Sequence, residues 1–246
     1  RAAYLAGWCA YIQGRYQQAG TYLKKVDRSA GEELQTKSDF MYAKSLRQLG
    51  EIEEAAILFE NIHLENPESE LSDDALFEYA EAITALDQLE DGVEAYLTVW
   101  HEYPASPLAE ESLYLRGELL FEAQAYEAAR DAFYQYRLRY PRGSLYDAAL
   151  YWGGLAAYES GEAFGAVLLW EKLIESYAES AFRADSLLRT AEVYEGSGDF
   201  RKALNFYGEL AAVYPQEADT VSADLRSEKL RFLILGQGER EAELSA

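Results

Sequence analysis

Glu102–Gly117 reads EYPASPLAEESLYLRG, and Arg139–Gly154 reads RYPRGSLYDAALYWGG. Few letters match, yet Tyr-Pro opens both, a leucine and a tyrosine follow at the same offsets, and glycine closes both, 37 residues apart. The spacing runs along the chain. Pro67, Pro104, Pro141, Ala178 and Pro215 each lie 37 residues after the one before. In that register a small residue recurs at Gly7, Ala43, Ala80, Gly117, Gly154 and Ala191, only the first interval being one shorter. A second small residue follows twelve positions on, at Ala19, Ala55, Gly92, Ala129, Ala166 and Ala203. Four further along stands a bulky one: Leu23, Phe59, Tyr96, Phe133, Trp170 and Tyr207. Self-similarity at a fixed period marks a repeat array, whose units bury their apolar faces on one another.

Inside a unit the period is helical. Leu113, Gly117 and Leu120 recur at four and three, as do Ala129, Phe133 and Tyr136. Polar or glycine-bearing breaks such as QLGEIEE, ESGEAFG and GSGDFRK separate two such halves. Each unit is therefore expected to be two helices joined by a tight turn. The small residues let the backbones approach while the bulky side chain wedges beside them. Proline ends the second helix, since it lacks an N–H and restricts the residue before it. Ser69, Ser106 and Ser144 are expected to cap the next helix.

Composition agrees with an all-α chain. Only five prolines occur in 246 residues, and about half the chain is apolar. Arg1 stands where a start methionine would be, which reads as an excised or processed piece with further chain upstream. Cys9 is the single cysteine and reads as a small core residue rather than a reactive thiol. The net charge of −22 is uneven: +4 over Arg1–Arg47, −18 over Gln48–Leu115, and −8 from Arg116 onward. So acidic a middle repels phosphate backbones and anionic lipid heads, so no nucleic acid is expected as a partner. No apolar run approaches the ~18 residues that span a bilayer, so no direct membrane insertion is expected.

The pattern of small, small, aromatic and proline resembles the tetratricopeptide (TPR) repeat, whose usual unit is ~34 residues. The resemblance covers six units over 1–217, at about 1–36, 37–72, 73–109, 110–146, 147–183 and 184–217. Residues 218–246 are read as a C-terminal capping helix and tail. A seventh first helix is expected over 219–235, with Asp224 and Glu228 where earlier units carry packing residues. The tail EREAELSA reads as frayed, or as the start of a further helix. Two features depart from the pattern. The family's early tryptophan is replaced by Ala3, Asp39, Leu76, Leu113, Leu150 and Leu187, and each unit carries about three extra residues in its inter-unit turn. The fold implied is an α-solenoid of helix-turn-helix repeats wound into a right-handed superhelix. The Tyr-Pro turn followed by serine is similar to TPR proteins of the bacterial periplasm, implying an envelope scaffold.

Chemistry finds little footing. His63 and His101 lie late in successive second helices without the companions of a metal site. GSGD and GQGER lack the Gly-Lys-Ser/Thr ending of a phosphate loop, and no Gly-x-Ser-x-Gly elbow appears. The chain reads as no enzyme, needing no cofactor.

In the TPR family the first helices line the inner wall. Carried over, the first inward column is Tyr4, Phe40, Phe77, Tyr114, Tyr151 and Leu188. Four residues on come Trp8, Lys44, Glu81, Glu118, Leu155 and Glu192. Three further on come Tyr11, Arg47, Thr84, Phe121, Tyr158 and Glu195, which keeps all three on one face. The rings either pack onto neighbouring first helices as a floor or line a slot for a peptide. Lys37, Lys44 and Arg47 form a basic island, and Glu78, Glu81, Glu118 and Glu122 make the wall acidic beyond it. The candidate partner-binding residues are therefore Tyr4, Trp8, Tyr11, Phe40, Lys44, Arg47, Phe77, Glu81, Tyr114, Glu118, Phe121, Tyr151, Leu155 and Tyr158. The partner expected is a protein or peptide with basic and aromatic or apolar residues. Two alternatives stand beside this scaffold: a building block that associates with itself or others, and the non-catalytic arm of a cell-wall enzyme.

Overall fold

A computed structural model describes residues 1–26, 29, 31–220 and 222–244, with side chains described for all of these except 220 and 236–244. Helix follows helix, and among the described residues there is no strand. The chain divides into two compact units. The first, Arg1–Gln124, holds α1 (Ala2–Ile12), α2 (Tyr16–Leu23), α3 (Glu32–Leu49), α4 (Ile52–Glu65), α5 (Ser72–Ala85), α6 (Leu89–Glu102) and α7 (Ala109–Glu122). The second, Ala125–Ala246, holds α8 (Tyr126–Arg139), α9 (Tyr146–Glu159), α10 (Ala163–Ser176), α11 (Arg183–Ser197), α12 (Phe200–Val213), α13 (Pro215–Thr220) and α14 (Ala223–Leu244). Within each unit every helix packs on the next, as in a solenoid of helical hairpins.

The turn between the two helices of a hairpin depends on one left-handed residue. It is Gly14 (φ 71°), Gly50 (82°), Asp87 (64°), Gln124 (59°), Gly161 (90°) or Gly198 (83°), again at the repeat spacing. A Cβ added at Gly161 or Gly198 would meet nothing within 4 Å, so backbone conformation alone selects glycine there. The exit from the second helix is equally regular. Asn66, Tyr103, Tyr140, Tyr177 and Tyr214 share φ between −117° and −135° and ψ between 56° and 68°. Tyr177 adopts this conformation although alanine follows it, so proline reinforces the exit without dictating it. The tyrosines bind the turns laterally. Tyr103 places its hydroxyl 2.8 Å from Ser72 Oγ and 3.1 Å from His63 Nδ1, and Tyr177 stacks on Tyr146 at 6.0 Å.

The turn serines do not cap helices as expected. Ser69 and Ser106 lie three residues before α5 and α7, and their hydroxyls accept from the N–H groups of Leu71 and Leu108. Ser180, at the same place before α11, accepts from Phe182. The extra residues of the inter-unit turn form a small turn of their own, which the hydroxyl closes two residues on.

Both small columns are buried wherever they oppose a bulky residue within a unit. Gly154 lies so close to Trp170 that an added Cβ would fall 2.3 Å from the indole nitrogen, and at Gly7 it would fall 2.5 Å from Leu23 Cγ. Trp170 has no exposed surface, and its N–H donates to the Tyr151 carbonyl at 3.2 Å. The last repeat differs from the single helix expected over 219–235. Pro215 opens α13, since proline suits the first helical turn, and Ser222 with φ 55° precedes α14. Asp224 and Glu228 are exposed, while Ala223, Ser227 and Leu230 face inward and are buried. The backbone of α14 runs unbroken through Gly236 and Gly238 to Leu244, and residues 245–246 of the tail lie outside the described residues. Cys9 is not in the core: it is exposed on α1, whereas its counterparts Ser45, Ala82, Leu119 and Ala156 are buried in later repeats.

Candidate binding groove

In the first unit α1 and α3 bring one turn of each inward column together. Tyr4, Trp8, Tyr11 and Ile12 from α1, with Lys37, Phe40, Met41 and Lys44 from α3 and Leu71 from the turn before α5, line a groove of about 460 Å³. Five of these nine belong to the predicted set. Trp8 is 41% exposed, and its ring lies 6.2 Å from that of Tyr4. Tyr11 is held edge-on by Tyr16 at 5.4 Å. The floor is fixed by Phe40, which packs edge-on against Phe59 at 5.6 Å and carries the Lys44 ammonium above its face. Among the described residues lining the groove there are two lysines and no carboxylate, in keeping with the positive charge of Arg1–Arg47.

Further along, the inward column behaves as a floor. Phe40, Phe77, Tyr114 and Tyr151 are only 6–8% exposed. Phe77 meets Tyr96 at 5.4 Å, and in the second unit Tyr151 stacks on Phe182 at 4.7 Å. Phe40, Phe77 and Tyr151 each find an aromatic partner from the second helix or the following turn, which a one-dimensional column does not display. Of the two readings of these rings, packing describes the buried four, and a wet, accessible surface describes Trp8 and Tyr158. Leu155, on α9, is buried.

The basic island is not free. Lys44 pairs with Glu78 at 2.8 Å, and Arg47 bridges Glu78 and Glu81, the latter at 2.7 Å. Lys37 pairs with Glu33 one turn away. Burial pulls the Arg47 pKa down, but the Glu81 hydrogen bond and the charges of Glu78 and Glu81 outweigh it, and the net shift is upward. Glu118 accepts from the Tyr114 hydroxyl at 2.7 Å, and burial raises its pKa. Phe121 is half-buried on the same helix. Thus α3 and α5 cancel charges that sequence counting left separate. Sequence reading missed Ile12, Met41 and Leu71. Leu71 had a signal, since Leu108, Leu145 and Phe182 recur at its repeat positions. Among the described residues no three His, Cys, Asp or Glu side chains converge as a metal site, and no helix is long and apolar enough to cross a membrane.

The sequence model of the tetratricopeptide repeat matches residues 111–142, 148–180 and 185–217. Within residues 111–217 the chain carries tetratricopeptide repeats. No curated protein matches it in sequence. The crystal structure of MamA aligns with a TM-score of 0.62 at 19% identity, over 77% of this chain and 96% of that one. YrrB, described as a TPR protein with an unusual peptide-binding site, aligns at 0.59 and 13%, over 79% and 95%. A putative kinesin light chain of Podosopora anserina with nearly identical TPR-like repeats aligns at 0.56 and 17%, over 76% and 98%. At these identities the likeness is one of fold.

Proposed function

We infer that this TPR protein is a non-catalytic scaffold that holds a partner protein or peptide in the α1–α3 groove. The observation that carries the reading is the accessible ring cluster of Tyr4, Trp8 and Tyr11 over the apolar floor of Phe40, Met41 and Leu71. Amphipathic rings at a partly wet surface supply contact area at low entropic cost, and an extended apolar anchor fits between them. Basic residues flanking the anchor would meet the carboxylates of α5 and α7, where Glu78, Glu81 and Glu118 are partly satisfied within the fold. YrrB, also a TPR protein, is named for a peptide-binding site, which agrees in kind. The envelope setting implied by the Tyr-Pro-Ser turn belongs to the same proposal.

The test is selection from a displayed random-peptide library on the wild-type chain, with counter-selection on Trp8→Ala and Tyr11→Ala. Trp8 is exposed and Tyr11 half-buried, so the helicity of each variant is measured alongside binding. Enriched peptides should carry an aromatic or aliphatic anchor beside lysine or arginine, and should lose at least about tenfold in affinity to each variant. Peptides that bind variants and wild type equally would refute the assignment.

A further inference from the structure

Among the described residues of the second unit, half-buried arginines find carboxylates. Arg130 meets Asp131 and Glu162, Arg183 meets Glu209, and Arg189 meets Asp185. Arg226 ties α14 to α11 through Glu192, as Arg47 ties α3 to α5 through Glu81. Arg137, in the last turn of α8, is also half-buried and meets none. Its Nη1 donates to the Ala149 carbonyl at 3.2 Å, and its guanidinium lies 6.0 Å from the centre of the Tyr134 ring. The bond goes to α9 and not to the last carbonyls of α8, so the side chain does not cap its own helix. Gly153 makes room for it. A Cβ added there would fall 2.5 Å from Nη1, and other repeats fill the same place with Tyr42, Tyr79, Arg116 and Thr190. Burial pulls the Arg137 pKa down, and nearby Tyr146 and Tyr134 oppose the shift only in part. A cation taken from water without a counter-charge costs stability, which a bound anion offsets.

The surroundings are cationic and apolar. Residues 132–146 hold three arginines and no carboxylate, in a chain of net charge −22. Arg139 and Arg142 are exposed. Lys172, exposed on α10, donates to the Tyr146 hydroxyl at 2.9 Å. Asp131 is held by Arg130, and neither Asp147 nor Glu175 pairs with Arg137 or Lys172. Tyr134 is 57% exposed and Leu138 70%. We propose that this end of α8 holds an acidic amphipathic segment of a partner protein, with one carboxylate on the Arg137 guanidinium and apolar neighbours over Tyr134 and Leu138. Guanidinium and carboxylate match as a fork, and Arg139, Arg142 and Lys172 add an attraction that salt screens.

The surface lies in the second unit and prefers the charge opposite to that expected at the α1–α3 groove, so it goes beyond that reading. Selection from a displayed random-peptide library on the Trp8→Ala chain, whose groove is impaired, tests it. Enriched peptides should carry aspartate or glutamate beside leucine, phenylalanine or tryptophan, and should bind the wild type equally well. They should lose at least about tenfold in affinity to Arg137→Met and to Leu138→Glu, and should weaken as salt is added. Arg137→Met should keep or raise the urea midpoint, since methionine fills the seat without a charge, whereas an arginine of purely structural use would lower it. Leu138→Glu changes an exposed position and reads the site without touching that seat. A selection that yields no acidic peptides overturns the proposal, as do acidic peptides that bind both variants like wild type. Peptides of the α1–α3 groove depend on Trp8 and these do not, so the two readings fail separately.

Discussion

The contact between Gly154 and Trp170 can be tested by a cycle of substitutions. Gly154→Ala improves helix propensity by about 1 kcal/mol. Against that, the new methyl would fall 2.3 Å from the indole nitrogen and 2.8 Å from two ring carbons, well inside contact distance. The indole cannot swing away, being fully buried with its N–H held by the Tyr151 carbonyl. Overpacking costs about 1–3 kcal/mol, and a displaced buried N–H adds about 1–3 more. The net expectation is a loss of about 1–5 kcal/mol. Trp170→Phe alone should also destabilise, by leaving a cavity. The pair together recreates Ala43 over Phe59, both fully buried in α3 and α4. The double variant should therefore be more stable than the two losses summed, with a coupling of about 1–2 kcal/mol. Because repeat arrays can unfold in parts, amide exchange of α9 and α10 should accompany urea titration. A Gly154→Ala protein as stable as wild type, or a cycle without coupling, would refute the close-approach argument.

Gly161→Ala, with φ at 90° and open space around the missing Cβ, should lose about 1–2 kcal/mol to backbone strain alone, and Gln124→Gly should gain up to about 1 kcal/mol. Urea midpoints of the two variants check the opposite signs. Burial raises the Glu118 pKa, outweighing the Tyr114 hydrogen bond, so the folded state holds its proton to higher pH than the unfolded chain. Stability should accordingly fall as pH rises from the ordinary carboxylate range through the folded value, with the penalty fully present above it. Glu118→Gln should be more stable than wild type at neutral pH and flatten that slope, read by thermal melts between pH 4 and pH 8. Burial, with the Asp185 hydrogen bond, pushes the Tyr151 hydroxyl up to about 12, so stability should drop by up to about 1.4 kcal/mol per unit between pH ~10 and ~12. Tyr151→Phe should remove that share while the share from Tyr207, also pushed up to about 12 by burial, remains. Phenolate absorbance and urea midpoints together measure it.

The hairpins were legible because sterics set the letters. Only a small residue fits where Gly154 meets Trp170, and only a left-handed residue turns between helices. The positive-φ column was itself readable, since four of its six members are glycine. The inward column was legible as a face and illegible as a surface. Whether Phe77 is wet depends on Tyr96, which reaches it from another helix, and no spacing rule states that. The basic island had the same limit, because Glu78 and Glu81 lie 34 residues from the cations they neutralise. Ser69 and Ser106 fall two residues short of the N-cap because a hydroxyl closes a turn as readily as it caps a helix.

The ladder of ties between first helices also constrains how such an array can lengthen. If residues 37–72 were duplicated in tandem, Arg47 would confront the new Lys44 where Glu81 now stands, and Lys44 would confront Met41 in place of Glu78. A favourable pair would become cation against cation, and a second would vanish. Each repeat therefore specifies its successor. The order of the repeats is written into the stack as firmly as the hairpin is written into each one.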